Sequence, residues 1–253
     1  MNLHVESLGS GAPLLLIHGW GMHGGIWGSV VPQLAQRFRV HCVDLPGNGA
    51  SAPLPDYHLD GMVQVLSAQF DEPLTVCGWS MGGQVALRWA QLAPEQVQRL
   101  VLVSSTPCFA EREDWLFGMA QDALQQFAAE LERDYAATLR RFLALQVRGS
   151  GHERELLSML RESLFSRGEP DFAALRSGLE VLRGTDLRGA LPSIQQPVLV
   201  IAGERDKLMP PEAAYYMAQT LPNAHVKEIA GAAHTPFLSH PQIFLQHINE
   251  FLA

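Results

Sequence analysis

Cysteine is scarce in this 253-residue chain, with only Cys42, Cys77 and Cys108. An odd trio, each in or beside an apolar run, reads as reduced, buried thiols and not as a disulfide framework. No Cys-x-x-Cys or Cys/His spacing points to a metal site, so no metal and no cofactor is expected. Lysine is scarcer still: Lys207 and Lys227 stand beside 16 arginines, and 26 acidic residues leave a formal net charge of −8. That balance argues against general nucleic-acid binding. Long hydrophobic runs are missing as well, and none approaches the ~20 residues that span a bilayer. Residues 1–11 lack the basic start and apolar stretch of a signal peptide, so the cytoplasm is the expected compartment, with no membrane partner. Hydrophobic residues make up 47% and charged residues 17%, a globular composition and not a disordered one.

What is present is alternation. Short apolar runs at 13–17, 39–44, 74–77, 100–103, 198–202 and 226–229 each end at turn-forming residues. Nearly continuous apolar strands imply burial on both faces, as in a parallel sheet. Helix-like segments fall between them at 27–38, 59–70, 80–92 and 243–252. The pattern predicts an α/β fold with a mostly parallel central sheet flanked by helices. It breaks at 110–190, which reads as helix after helix, with amphipathic spacing over 119–145. The expectation is a core of 1–109 and 191–253 interrupted by a helical cap, or lid, at 110–190. Plain outer-layer helices are the alternative.

Gly78-Trp79-Ser80-Met81-Gly82 fits the Gly-x-Ser-x-Gly pattern. Alone it is weak. Here an apolar strand precedes it and a helix-forming run follows, which is the setting a nucleophilic serine requires. The turn is tight, so its flanking positions must be small. A serine hydroxyl needs a base, and in this arrangement the acid and then the histidine follow the serine along the chain. Asp206, after the run at 198–202, and His234, between the last strand and the final helix, are the candidates. Asp44 precedes the serine and reads as part of a turn, and Glu204 is the weaker neighbour. His18 more plausibly orders its loop, and His240 occupies a capping-like place before Pro241. His18-Gly19-Trp20-Gly21 follows the first strong strand. The backbone N–H groups of Trp20 and Met81 are the candidate oxyanion donors, with an ordinary glycine turn as the alternative.

Together with Asp44-Leu45-Pro46-Gly47, these motifs resemble the α/β-hydrolase superfamily across the whole chain. More narrowly, residues 104–109, 141–146, 178–182 and 186–188 resemble the pimeloyl-[acyl-carrier protein] methyl ester esterases of biotin synthesis. That resemblance implies an α/β-hydrolase fold and a serine carboxylesterase acting through an acyl-enzyme. Its implied partner is an acyl carrier protein bearing a pimeloyl methyl ester; small esters are expected as further substrates, and a monomer is the expected state. The implied substrate contacts are Trp20, Trp79, Ser80, Met81, Phe142, Leu143, Ala144, Leu145, Gln146 and His234.

Eleven of the 18 basic residues lie within 110–190. Arg140, Arg141, Arg148, Arg154 and Arg161 form the candidate docking set, since a local basic face suits an acidic carrier and its phosphodiester. A solvated helix face is the plainer reading. Arg141 and Arg154 match basic positions of the family, whereas Ala137 and Ser158 stand where some members carry arginine. Other functions remain open. They are a general short-chain carboxylesterase or thioesterase, a carbon–carbon bond hydrolase, and a noncatalytic ligand-binding relative. Dehalogenases and epoxide hydrolases fit less well, because they place Asp where Ser80 stands.

Overall fold

The computed structural model describes residues 2–253. Its elements run β1 (Val5–Leu8), β2 (Ala12–Ile17), α1 (Val31–Leu34), β3 (Phe38–Val43), α2 (Leu59–Ser67), β4 (Leu74–Trp79), α3 (Met81–Leu92) and β5 (Val97–Val103). Four helices follow: α4 (Gln121–Arg133), α5 (Tyr135–Val147), α6 (Glu153–Phe165) and α7 (Phe172–Gly184). The chain ends with β6 (Val198–Gly203), α8 (Pro211–Thr220), β7 (Ala224–Ile229), α9 (Pro236–Ser239) and α10 (Pro241–Phe251).

The sheet order is β1-β3-β2-β4-β5-β6-β7. All pairs are parallel except β1 with β3. Every residue of β4 and β6 is buried, as their apolar runs require of strands covered on both faces. After β2 the chain first builds outward to β3 and then returns to place β4 on the other side of β2. That reversal falls between β2 and β4, and beyond the strand ends at such a switch point is the usual ligand position in these sheets.

Two expectations need correction. The stretch 27–38 is not one helix. It holds part of a 3-10 segment (Gly24–Ser29), the four-residue α1 and the first residue of β3. Gly28 weakens a helix there, Pro32 lacks an N–H to extend one, and Phe38 already pairs with Ala12. The amphipathic run 119–145 is two helices, broken at Asp134, whose carboxylate accepts from the Ala137 N–H at 2.9 Å and caps α5.

Helices α4 to α7 all lie between β5 and β6. The two chains that join them to the sheet are stitched together by a bridge between Cys108 and Asp186 and by Leu187 N–H donating to Pro107 C=O at 2.8 Å. A second attachment is ionic. Arg167, between α6 and α7, pairs with the buried Asp44 at 2.6 Å and with Glu6. His23 adds a third, its Nε2–H donating to the Ser163 carbonyl at 2.6 Å. Among the described residues no helix is long and apolar enough to cross a membrane.

Candidate active site

Ser80 sits between β4 and α3 with φ 56° and ψ −119°, a left-handed conformation that non-glycine residues avoid. The strain is held by neighbours that cannot grow. A Cβ at Gly78 would lie 2.2 Å from the Gly82 carbonyl oxygen, and one at Gly82 would lie 2.5 Å from the Ile17 carbonyl oxygen. Ser80 N–H donates to Val103 C=O at 2.9 Å, and Ser105 Oγ–H donates to the Ser80 carbonyl at 2.8 Å. The role of Ser105 leaves no signal in the sequence, since nothing in a Ser-Ser pair announces it.

β4 and β6 are separated by β5, so the serine and the acid loop stand roughly 10 Å apart at ordinary strand spacing. An imidazole arriving from the β7 side can bridge such a gap. His234 does arrive there, its Nδ1 lying 2.8 Å from Asp206 Oδ2, with both side chains buried. A carboxylate only accepts, so Nδ1 carries the proton and Nε2 is left as a base. Asp206 Oδ1 is fixed separately by the Leu208 and Met209 N–H groups, both at 2.9 Å. Ser80 Oγ makes no hydrogen bond to the ring in this structure. Such contacts are commonly long in unliganded sites and tighten when substrate binds.

Trp79 lies behind the histidine. Its Nε1–H donates to the His234 carbonyl at 2.8 Å, and its ring centroid is 5.6 Å from the imidazole. The rival groups are occupied elsewhere. His18 is fully buried, with Nδ1–H donating to Gly19 C=O at 2.7 Å and Nε2 accepting from Leu45 N–H at 2.9 Å. Burial pushes its pKa down to about 4, so the ring is neutral and both nitrogens are used to hold the loop. Asp44 accepts from Gly24 N–H, Ala50 N–H and Arg167. Burial alone would raise its pKa, but those N–H bonds and the guanidinium outweigh burial and hold it below the usual carboxylate range. His240 bonds Ser239 Oγ at 2.9 Å, and Glu204 accepts from the Gly231 N–H.

The loop after β2 packs on the serine. A Cβ at Gly19 would stand 3.1 Å from both Ser80 Cβ and the Trp79 ring. Among the described residues neither the Trp20 nor the Met81 backbone N–H has a protein acceptor. The Trp20 side chain turns toward the four-helix insertion. Its Nε1–H donates to Leu175 C=O at 2.8 Å, and its ring meets Phe142 edge-on at 5.0 Å. A Cβ at Gly178 of α7 would come within 2.9 Å of that ring.

Trp20 also walls a cavity of about 200 Å³ with Phe109, Met119, Ala123, Leu124, Phe127, Phe142, Leu145, Leu179 and Leu182. The wall is almost wholly hydrocarbon. Of the sequence-derived substrate contacts, the structure brings Trp20, Phe142 and Leu145 to it. Trp79, Leu143 and Ala144 are elsewhere: Trp79 under His234, Leu143 buried among the helices, Ala144 exposed. Gln146 is buried at the end of α5, where its carbonyl accepts from the His234 backbone N–H at 3.0 Å. Leu124 and Phe127 lie on the apolar face of the 119–145 run, whereas Phe109, Leu179 and Leu182 fall in the segments 104–109 and 178–182 that carry the narrower resemblance and show no periodicity that would assign them to a cavity wall.

Arg140, Arg148, Arg154 and Arg161 are exposed on α5 and α6 or just beyond, and among the described residues they form no ion pair. Arg141 is also exposed but is bonded to Glu130 at 2.6 Å.

Residues 12–241 match the family model described as the alpha/beta hydrolase fold. The chain is 47% identical over 244 residues to the pimeloyl-[acyl-carrier protein] methyl ester esterase of Nitrosomonas europaea, covering 96% of this chain and 97% of that one. It is 43% identical to the protein of the same name from Methylococcus capsulatus, covering 100% and 99%. Among solved structures, a thermophilic esterase from Thermogutta terrifontis superposes with TM-score 0.82 at 25% identity, covering 99% of this chain and 92% of that one. The bromoperoxidase of Bacillus anthracis superposes with TM-score 0.91 at 24% identity, covering 99% and 95%, a likeness of fold alone. The chain belongs to the α/β-hydrolase family and is a carboxylic ester hydrolase.

Proposed function

We propose that this esterase hydrolyses the methyl ester of a pimeloyl chain borne on acyl carrier protein, with Ser80 as nucleophile, His234 as base and Asp206 as its orienting partner. The observation that carries the chemistry is the buried His234–Asp206 bond at 2.8 Å, beside a serine held at positive φ. The substrate class rests on relatives of that name at 42–47% identity over nearly the whole chain.

In the reaction Ser80 Oγ attacks the ester carbonyl as its proton passes to His234 Nε2. The developing oxyanion faces the N–H groups of Trp20 and Met81, donors typically worth about 3–4 kcal/mol each. The tetrahedral centre collapses, the methoxy oxygen takes the proton from His234, and methanol leaves. Water, deprotonated by the same ring, then attacks the acyl-serine; the second tetrahedral centre collapses, the Ser80 Oγ–C bond breaks as Oγ takes the proton back from His234, and the carboxylate leaves. The five methylenes of the pimeloyl chain fill the cavity beside Trp20 and Phe142. At ~0.8 kcal/mol per buried CH₂ they contribute about 4 kcal/mol. Helices α4 to α7 form the cap that supplies this cavity, and the far end of the chain emerges toward the arginines of α5 and α6. Those arginines, Arg141 included, receive the acidic carrier.

Turnover of methyl pimeloyl-carrier protein and of free methyl esters by the purified enzyme tests the reading. The expected result is a kcat/KM at least about tenfold higher for the carrier-borne ester, one decade being ~1.4 kcal/mol of recognition. Equal values would reject the carrier as partner and leave a general short-chain esterase. Ser80→Ala should lower kcat by a factor on the order of 10⁶ while leaving the circular dichroism spectrum intact.

A further inference from the structure

The C-terminal end of α5 touches both loops that carry the proposed acid and base. The first contact is the Gln146 carbonyl accepting from His234 N–H at 3.0 Å. The second is made by a side chain: Arg205, the residue before Asp206, donates from Nη1 to the Gly149 carbonyl at 2.8 Å. Gly149 has φ +91°, which turns its carbonyl out of the helix path, and a Cβ there would lie 3.5 Å from Arg205 Cβ. The corner is braced further by Gly149 N–H donating to Glu153 Oε1 at 2.7 Å.

The two loops themselves form one block. Arg205 N–H donates to Ala232 C=O at 2.8 Å, Glu204 N–H to Ile229 C=O at 3.1 Å, and Gly231 N–H to Glu204 Oε2 at 2.7 Å. A displacement of α5 therefore acts on Asp206 and His234 together. The same helix places Phe142 and Leu145 in the cavity wall. Filling the cavity bears on α5, and α5 bears on the acid–base block through two hydrogen bonds, only one of them made by a replaceable side chain.

We propose that Arg205 is a positioning residue that couples occupancy of the apolar cavity to the alignment of His234 and Asp206, so that acyl chains long enough to reach α5 are turned over faster than short ones. This rests on Ser80, His234 and Asp206 being the reacting groups and on the cavity holding the acyl chain; it does not require the carrier. Among the described residues Arg205 makes no hydrogen bond to Ser80, and its side chain is about half exposed. Loss of its contact frees the acid–base block from α5, and displacements beyond about 0.5 Å are enough to govern rates in such sites.

The test is a chain-length series of free methyl esters, with methyl acetate and dimethyl pimelate as its ends, assayed on wild type, Arg205→Met and Arg205→Lys. In Arg205→Met the ratio of kcat for dimethyl pimelate to kcat for methyl acetate should fall about tenfold. KM should change little, and Arg205→Lys, which keeps a donor and the charge, should restore most of the ratio. A ratio within twofold of wild type, or a change confined to KM, overturns the coupling, because a merely structural or docking role would lower both substrates alike or act on binding. Far-UV circular dichroism and melting temperature verify that each variant is folded. Failure of the carrier reading shows separately, as wild-type indifference between carrier-borne and free esters.

Discussion

At the scale of single residues, this site depends on groups kept neutral or charged by what surrounds them. His18 is the clearest case, because it is fully buried, neutral and bonded through both nitrogens. Its pKa is about 4 in the folded protein and near 6.5 in an open chain. Between those values the unfolded chain binds a proton that the folded one refuses. Stability from this group is therefore complete above pH 6.5 and drains away as the pH falls toward 4. At 1.36 kcal/mol per pH unit, the full drop is about 3 kcal/mol. Urea unfolding at pH 7 and pH 4 should show that His18→Asn, though less stable at neutral pH, loses about 3 kcal/mol less than wild type across the interval. Parallel loss in both proteins would mean that His18 does not titrate on unfolding. His23, whose pKa burial also lowers, contributes in the same direction and remains in both proteins.

At the scale of elements, the helical insertion is held at one point by a charge pair that spans 123 residues. Asp44 is wholly buried, and Arg167 is 17% exposed. Removing the arginine leaves a buried carboxylate with only its two N–H donors. Arg167→Met should cost about 3 kcal/mol in chemical denaturation. Adding Asp44→Asn should recover at least about 1 kcal/mol, as expected when both charges leave together. A fully additive double variant would show that the two side chains do not interact. No periodicity in a sequence announces such a pair, whereas the fold itself was legible. Parallel strands buried on both faces must be apolar throughout, and so the runs ending at Ile17, Cys77 and Ala202 stood out. β1 did not, because it is an edge strand whose Glu6 and Ser7 face solvent. Ser80, Asp206 and His234, the proposed reacting groups, stand out in the sequence because strand-end loops in a fixed chain order leave few choices. The contacts of Arg205 with Gly149 and of His234 N–H with Gln146 do not, since they join a carbonyl to a donor with no residue-type signature.

At the scale of the whole molecule, a net charge of −8 sits beside a cluster of arginines on the insertion. Arg154 and Arg161 are seven apart within α6, and Arg140 and Arg148, the latter capping the end of α5, are eight apart, so each pair shares a helix face. None of the four is neutralised by an ion pair among the described residues. Arg141 differs, because Glu130 already engages it, and reversing its charge would disturb α4 as well as any docking face. The cleaner variant is therefore Arg140→Glu combined with Arg154→Glu, which removes two positive charges from exposed sites and puts two negative ones in their place, a net change of −4. If an acidic carrier lands there, attraction acts mainly on encounter, so kcat/KM for the carrier-borne ester should fall roughly tenfold to a hundredfold at low ionic strength. The deficit should shrink as salt rises to 0.5 M, where screening falls to roughly 4 Å. Free methyl esters carry no such charge, and their turnover by the double variant should match wild type within about twofold. Stopped-flow or initial-rate measurements across a salt series separate the outcomes. A salt-independent loss, or an equal loss on free esters, would place the carrier on another face of the enzyme.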